Sequence, residues 1–201
     1  MKKILGLTVV ALMVMGLIGS GTWAYFSDVE TSTGNTLAAG TLDLTVDDND
    51  DPSIVAISVS DIAPGAAAAN NVWVIKNVGN ISGNFTLTVS AITDGEGDNP
   101  ESENNTSGDG ELSAQLLSIL FVDVDGDGTF EGGDTELYGN GSGGMAVLSG
   151  LPATYDPTDP GLSGATPVNI TLGYQLPSSA DNEVQGDNCT FNIQFDLAQI
   201  T

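Results

Sequence analysis

The sequence contains no histidine, one cysteine and only three lysines and arginines among its 201 residues. Without histidine there is no Ser-His-Asp or Cys-His catalytic centre, no HExxH zinc-protease motif and no imidazole-bound metal. One cysteine cannot close an intramolecular disulfide, so stability must come from a hydrophobic core or from bound ligands. Three basic residues cannot form the patch that binds nucleic-acid phosphates. The composition therefore excludes most enzyme templates and a nucleic-acid partner.

Acidic residues, by contrast, are abundant: 27 Asp and Glu give a formal net charge of −24. A surface of this kind repels anionic membranes and polyanions, and it attracts cations. Solubility in salty or calcium-rich surroundings accounts for most of these acids. The length of 201 residues is typical of one domain with a substantial core.

The first 24 residues have the pattern of an export signal. Lys2 and Lys3 precede an apolar run at 4–18, and small residues up to Ala24 suit a signal peptidase. The run is shorter than the roughly 20 residues that a membrane-spanning helix needs. We expect cleavage between Ala24 and Tyr25, which leaves a mature form with no membrane partner. An uncleaved membrane anchor is the alternative.

The rest of the chain alternates apolar and polar residues with the period of half-buried strands. The strand-like segments are 42–46, 54–59, 71–76, 85–89, 168–174 and 191–197. Helical spacing occurs in Glu111–Ile119, before a predicted strand at Leu120–Val124, and Asp94–Gly110 is typical of an exposed acidic loop. We therefore predict an all-β sandwich with one short helix and long acidic loops.

A twelve-residue acidic segment has the ligand spacing of a calcium-binding loop. Oxygen donors occupy positions 1, 3, 5, 7, 9 and 12, and these are Asp123, Asp125, Asp127, Thr129 (through its carbonyl), Glu131 and Asp134. Gly128 at position 6 permits the sharp turn that wraps hard oxygen ligands around the ion. Asp134 is shorter than the usual bidentate glutamate, and a strand precedes the loop where an EF-hand has a helix. We predict a solitary structural Ca²⁺ site, with an ion-free acidic turn as the alternative.

Asparagine stands two residues before Ser or Thr more often than chance predicts, which suggests glycosylation of an exported protein. The candidate acceptors are Asn80, Asn104, Asn105, Asn140 and Asn188. Asn84 and Asn169 also fit the triplet, but they lie at predicted strand starts, where we expect no modification.

The remaining residues with possible chemical roles, Trp73, Cys189 and the carboxylates, are interpreted as structural or surface residues. Trp73 lies in an apolar run and is expected in the core rather than on a sugar-binding surface. Cys189 is expected one residue out of phase with the buried face that contains Phe191, as an ordinary side chain rather than a reactive thiol. Carboxylate pairs are unavoidable in so acidic a chain, so we assign no catalytic residue and predict no enzymatic activity. A secreted hydrolase that uses carboxylates alone is the enzyme alternative.

The most specific signal lies near the start of the chain, in GTWAYFSD at 21–28 and GNTLAAGTLDL at 34–44. Further similarity occurs in IKNVGN at 75–80 and, toward the end of the chain, in DNEVQGD at 181–187. Together they resemble the TasA/camelysin family of secreted biofilm-fibre proteins. The resemblance implies a jelly-roll sandwich, cleavage by a dedicated signal peptidase and assembly into extracellular filaments, including related archaeal bundling pili. Some members carry a peptidase label, which a chain without histidine does not support.

The implied assembly can be described for this sequence. Cleavage frees a segment from Tyr25 to about Ala39, which pairs with an exposed sheet edge of a neighbouring copy. Its apolar side chains for partner pockets are Tyr25, Phe26, Val29 and Leu37. Head-to-tail pairing of this kind does not close, so it yields a filament. Calcium or high salt is expected to promote assembly because it screens the acidic subunits.

The predicted organisation is a signal peptide at 1–24, a donor-strand segment at 25–40 and a β-sandwich at 41–201. The predicted function is that of a structural subunit of a secreted, extracellular filament, with the chain itself as the main partner and other matrix or cell-surface components as further candidates. The alternative is a monomeric secreted calcium-binding adhesin or carbohydrate-binding module. Deleting 25–39 separates the two, because only the filament subunit needs that segment.

Overall fold

A computed structural model describes residues 6, 8–10, 12–13, 40–50, 54–96, 110–157, 161–162, 166–180, 182–184 and 186–200. The predicted cleavage site between Ala24 and Tyr25, the donor side chains Phe26, Val29 and Leu37, and the candidate acceptors Asn104 and Asn105 lie outside these residues.

The chain divides into two units, Met1–Ala38 and Ala39–Thr201. In the first unit, the described residues are helical, and they include exposed apolar side chains such as Leu12 and Met13. None of the helices in the described part of the chain has the length and apolarity that crossing a bilayer requires.

The second unit is built from strands. The described residues form β1 Leu44–Val46, β2 Ile54–Ser60, β3 Ala69–Asn77, β4 Gly83–Val89, β5 Thr93–Gly95, β6 Leu117–Asp123, β7 Thr135–Tyr138, β8 Ala146–Val147, β9 Thr154–Tyr155, β10 Val168–Gln175 and β11 Asn188–Gln199. One α-helix, α1 Leu112–Gln115, precedes β6, and short 3-10 turns occupy Leu148–Gly150 and Asn182–Val184.

The strands form two antiparallel sheets with jelly-roll connectivity. The first sheet has the order β1-β3-β10-β6-β7, with β8 beside β6; the second has the order β2-β11-β4-β9, with β5 beside β11. From β2 onward the chain changes sheet at every connection except β4–β5, β6–β7 and β7–β8, and the last strand lies between β2 and β4. The predicted all-β, jelly-roll-like sandwich is confirmed.

The core forms between the inner faces of the two sheets, where period-two alternation places the apolar side chains. In β11 the side chains of Phe191, Ile193 and Phe195 are buried, and the residues between them are exposed or half-buried. Trp73 of β3 packs against Phe195, with ring centroids 5.9 Å apart. The prediction that Trp73 belongs to the core is confirmed.

The predicted helix at Glu111–Ile119 was too long. The helix ends after Gln115, and β6 begins at Leu117. Ser118, Ile119, Leu120 and Phe121 are buried in succession, because a loop covers the outer face of β6. A strand buried on both faces loses its alternation, so its apolar residues also fitted a helical spacing.

The predicted placement of Cys189 was wrong. Cys189 lies two residues before Phe191, so it shares the buried face of β11. Burial raises the pKa of its thiol to about 12, with a smaller contribution from the charge of Asp94.

Four short strands were missed. The strands β5, β7, β8 and β9 have two to four residues each, which is too few for an alternating pattern to show. Asp94 and Gly95 of the predicted acidic loop belong to β5, and 97–109 of that prediction lies outside the described residues.

Candidate metal centre

The acidic loop Asp123–Asp134 connects β6 to β7 and folds over the outer face of the first sheet. Phe130 of the loop packs edge-on against Phe121 of β6, with centroids 5.3 Å apart. The side-chain amide of Asn70, on β3, donates to the carbonyl of Gly128 at 2.6 Å. The loop is therefore fixed to the sheet by an aromatic contact with β6 and a hydrogen bond from β3, in addition to the contacts of Asp123.

Asp123 is the anchor of the loop and is 1 % exposed. Its Oδ1 accepts the N–H of Gly126 at 2.6 Å, and its Oδ2 accepts the N–H of Gly128 and the hydroxyl of Thr171, each at 2.8 Å. Burial raises the pKa of this carboxyl, but these hydrogen bonds outweigh it and hold the pKa below its usual value of 3.8. The carboxylate is thus held ionised and oriented.

Three of the six predicted ligands come together. One carboxylate oxygen from each of Asp123, Asp125 and Asp127 lies within 4.8 Å of the others. The latter two side chains are exposed, and each accepts the N–H of the residue two positions later, at 3.3 Å for Asp125 and 2.7 Å for Asp127. This arrangement brings three carboxylate oxygens together, which is the kind of ligand that a hard cation prefers.

The other three predicted ligands have different neighbours. Asp134 accepts the N–H groups of Val124 and Glu131, both at 2.9 Å, and so holds the two ends of the loop together. Glu131 is exposed, and the charges of Asp125 and then Asp127 raise its pKa. Thr129 donates its N–H to Asp127. Their roles as ligands stay predictions.

Two glycines shape the loop. Gly126 and Gly128 have φ of +76° and +81°, a region that favours glycine. A Cβ on either would lie 2.9 Å from an amide nitrogen, of Asn169 and Asn70 respectively. The spacing rule identified only the second glycine. Thr171, Asn169 and Asn70 were missed because they come from strands far away in sequence, and no local pattern marks them.

The chemistry of the loop is that of an oxygen-only cation site. In the part of the chain that the structure describes, the single ion pair joins Lys76 to Asp48 and does not involve the loop. Like charges brought together without a basic partner favour a bound cation, and carboxylate and carbonyl oxygens suit calcium or magnesium rather than softer metals. The residues present therefore fit a hard cation.

The second acidic stretch, around Asp47 and Asp48, is a hairpin turn instead. Both residues have positive φ, of 52° and 62°, and Val46 and Asn49 exchange backbone hydrogen bonds across them. This is the geometry of a two-residue turn. Among the described residues, the acids close enough to hold a metal ion together are Asp123, Asp125 and Asp127.

The described candidate glycosylation sites differ in their surroundings. Asn80 and Asn140 are exposed, and their Oδ1 atoms accept backbone N–H groups, from Thr41 in the first case and from Ser142 and Gly144 in the second. Asn188 is half-buried. Modification at these positions stays a prediction.

Residues 1–113 match the family model described as camelysin metallo-endopeptidase. No curated protein matches the chain. The family supports a secreted structural or biofilm-related role and is associated with the cell surface or the extracellular space. Its name refers to a metallopeptidase, whereas this chain contains no histidine. Since the match covers more than half of the sequence, the chain belongs to the TasA/camelysin family.

Proposed function

We propose that this protein is a non-enzymatic structural subunit of an extracellular filament, assembled head-to-tail by donor-strand addition. The observation that carries the proposal is the open edge of β2. Within the described part of the chain, β2 pairs with β11 and with no other strand. It is seven residues long, and an unpaired edge of this length is a template for a strand from another chain.

The register identifies which backbone groups of β2 face outward. Asn192 of β11 exchanges hydrogen bonds with Ser90, beyond the end of β4, through both its N–H and its C=O. The N–H and C=O of one residue point to the same side of an antiparallel strand, so those of Asn192 point away from β2. Asn192 and its partner Ala56 are therefore a pair without mutual hydrogen bonds, and the N–H and C=O of Ala56 point away from β11. The backbone groups of Ser58, two residues later, point the same way, toward the open edge.

The corresponding edge of the first sheet is partly closed. There β1 covers only the last residues of β3, and the Asp47-Asp48 turn ends it. Asp47 then occupies the next edge position itself, because its Oδ1 accepts the N–H of Val74 at 2.7 Å and its N–H donates to the carbonyl of Val74 at 2.9 Å. Charged edge residues of this kind oppose strand addition, which favours β2 as the acceptor.

The donor in this proposal is the segment from Tyr25 to about Ala39 of the next copy. Cleavage after Ala24 would release it only after export, so polymerisation would begin outside the cell. Each added copy would bring a new open β2, and the chain of contacts would not close on itself. The product is an open filament in the matrix or at the cell surface.

The acidic loop is proposed to hold a structural Ca²⁺. Asp123, Asp125 and Asp127 would supply the first carboxylates, and Thr129, Glu131 and Asp134 would complete the set of six. When bound, the ion would neutralise mutually repelling carboxylates and tie the loop more firmly to the sheet. An oxygen-only donor set does not resemble the nitrogen- and sulfur-containing sites of catalytic zinc, which favours a structural role over peptidase activity.

The test is deletion of 25–39 from the signal-free protein, with assembly followed by light scattering and electron microscopy. The intact protein should form filaments, more readily as calcium or salt rises, and the deletion should leave a folded monomer. A deletion variant that polymerises equally well, or filaments that weaken as cations rise, would contradict the proposal. Ligand binding by a monomer that never polymerises would favour the adhesin or carbohydrate-binding alternative.

A further inference from the structure

The outer face of the second sheet is a broad surface of small, uncharged side chains. We call it the neutral face, and its residues are Ile54, Ala56, Ser58 and Ser60 of β2, Asn188, Thr190, Asn192, Gln194, Asp196 and Ala198 of β11, Asn84, Thr86 and Thr88 of β4, Thr93 of β5 and Thr154 of β9. All of them are exposed or half-buried.

The strand register makes the neutral face continuous. Thr190 lies between Ser58 and Thr93, and Thr88 lies between Gln194 and Thr154. The hydroxyls of Thr88 and Thr154 are 3.1 Å apart and share a hydrogen bond. Because these side chains all point away from the core, four neighbouring strands present one surface of hydroxyls, amides and methyl groups.

The neutral face carries one charged residue, although the chain has 27 acids. That residue is Asp196, and the side-chain amide of Gln194 donates to both of its carboxylate oxygens, at 2.8 and 3.0 Å. The outer face of the first sheet, in contrast, lies beneath the acidic loop. A second copy of so acidic a chain therefore meets much less repulsion at the neutral face than at the loop.

We propose that the neutral face is a lateral contact surface between copies of this chain, packed face to face in adjacent filaments. The inference rests on the proposed filament. The area of the neutral face decides between an isolated dimer and a bundle. Four strands about 4.8 Å apart, each about seven residues long with a rise of about 3.3 Å per residue, cover roughly 440 Å² per copy. A stable interface buries about 800 Å² per partner. One pair is therefore weak, whereas a row of pairs along two filaments adds up.

The experiment introduces charges on the neutral face and, as a control, at an exposed position of the first sheet, and it separates bundling from polymerisation. Filaments of the signal-free protein are compared with those of Thr190→Glu, Thr88→Glu and Asp196→Asn, and with Thr135→Glu as a control at an exposed strand position of the first sheet. Electron microscopy gives filament length and bundle width, sedimentation gives the bundled fraction, and thermal unfolding checks the fold. The two face variants should reduce the bundled fraction by roughly tenfold or more because the effect repeats along the filament.

Single filaments of normal length should persist in all variants, Asp196→Asn should bundle at lower salt, and the control should bundle like the wild type. The inference would be overturned if Thr190→Glu and Thr88→Glu left bundling unchanged, or if Thr135→Glu reduced it equally. Neither result would contradict the proposed filament function. A wild type that forms no filaments would contradict the proposed function instead. The second virial coefficient of the monomers then decides: repulsion increased by Thr190→Glu and Thr88→Glu but not by Thr135→Glu supports the neutral face, and equal values for all variants overturn it.

Discussion

The two sheets of this sandwich differ in what covers them and in what their edges leave open. The first sheet carries the acidic loop on its outer face, and Asp47 occupies part of its edge. Among the described residues, the outer face of the second sheet carries one charged residue, and the edge strand β2 has no outer partner. We propose that the first sheet binds the ion and that the second sheet makes the contacts with further copies.

The largest expected effect comes from the open edge of β2. Ser58→Pro removes an N–H that points away from β11, so the sandwich should fold, because proline is tolerated on the outward side of an edge strand. It should abolish filament growth, since a donor strand loses a hydrogen bond and meets the proline ring. Light scattering and electron microscopy measure growth, and circular dichroism checks the fold.

Ser58→Ala is the matched control for that variant and should polymerise normally. Filaments of wild-type length from folded Ser58→Pro would exclude β2 as the acceptor and would direct attention to the uncovered half of β3 instead.

The next effect concerns the acidic loop of the first sheet. Asp125→Asn removes one of the three clustered carboxylates and should weaken calcium binding by roughly tenfold or more. The matched control is Asp48→Asn, which removes the same charge from the hairpin turn. Isothermal titration calorimetry measures both. An equal loss of calcium affinity in the two variants would mean that calcium binding depends on the overall charge of the protein rather than on the loop.

The smallest expected effect is a dependence of stability on acidic pH that comes from Asp123 of the first sheet. The pKa of Asp123 is lowered in the folded protein. Its contribution to stability is therefore complete above the ordinary pKa of 3.8, and it is lost as the pH falls through the lowered value. Thr171→Val removes one hydrogen bond to this carboxylate. The variant should lower the free energy of unfolding by about 1 kcal/mol at neutral pH and by less below pH 4.

Denaturant unfolding at several pH values, with a chelator present, measures this difference. The control is Thr190→Val on the neutral face, whose cost should not vary with pH. A Thr171→Val cost that stays constant down to pH 2 would show that the hydrogen bond does not distinguish the two protonation states of Asp123.

The sequence predicted those parts of the fold whose pattern is local and long enough to read. The strands β2, β3, β4 and β11 were found because one of their faces meets the core and the other is more exposed. The centre of β10 is buried on both faces, but its apolar residues still alternate with Asn169, Thr171 and Gly173. In contrast, β6 was partly mistaken for a helix because both of its faces are buried and its apolar residues do not alternate. Strands of two to four residues are held by pairing with distant partners, and their own sequences carry no period.

The candidate site was predictable to a similar degree. Spacing alone identified Asp123, Asp125 and Asp127, which the fold brings together. It could not reveal that Asp134 accepts two backbone N–H groups, or that Thr171 orients Asp123 from another strand. The contact of Thr171 depends on the register between β6 and β10, which no local pattern specifies.

The most direct test of the account is a cryo-electron microscopy map of filaments grown from the signal-free protein in calcium. The account predicts that Tyr25–Ala39 of one copy runs as a strand along Ile54–Ser60 of the next. A protein that stays monomeric under every ionic condition, with its first residues folded onto its own sandwich, would contradict it.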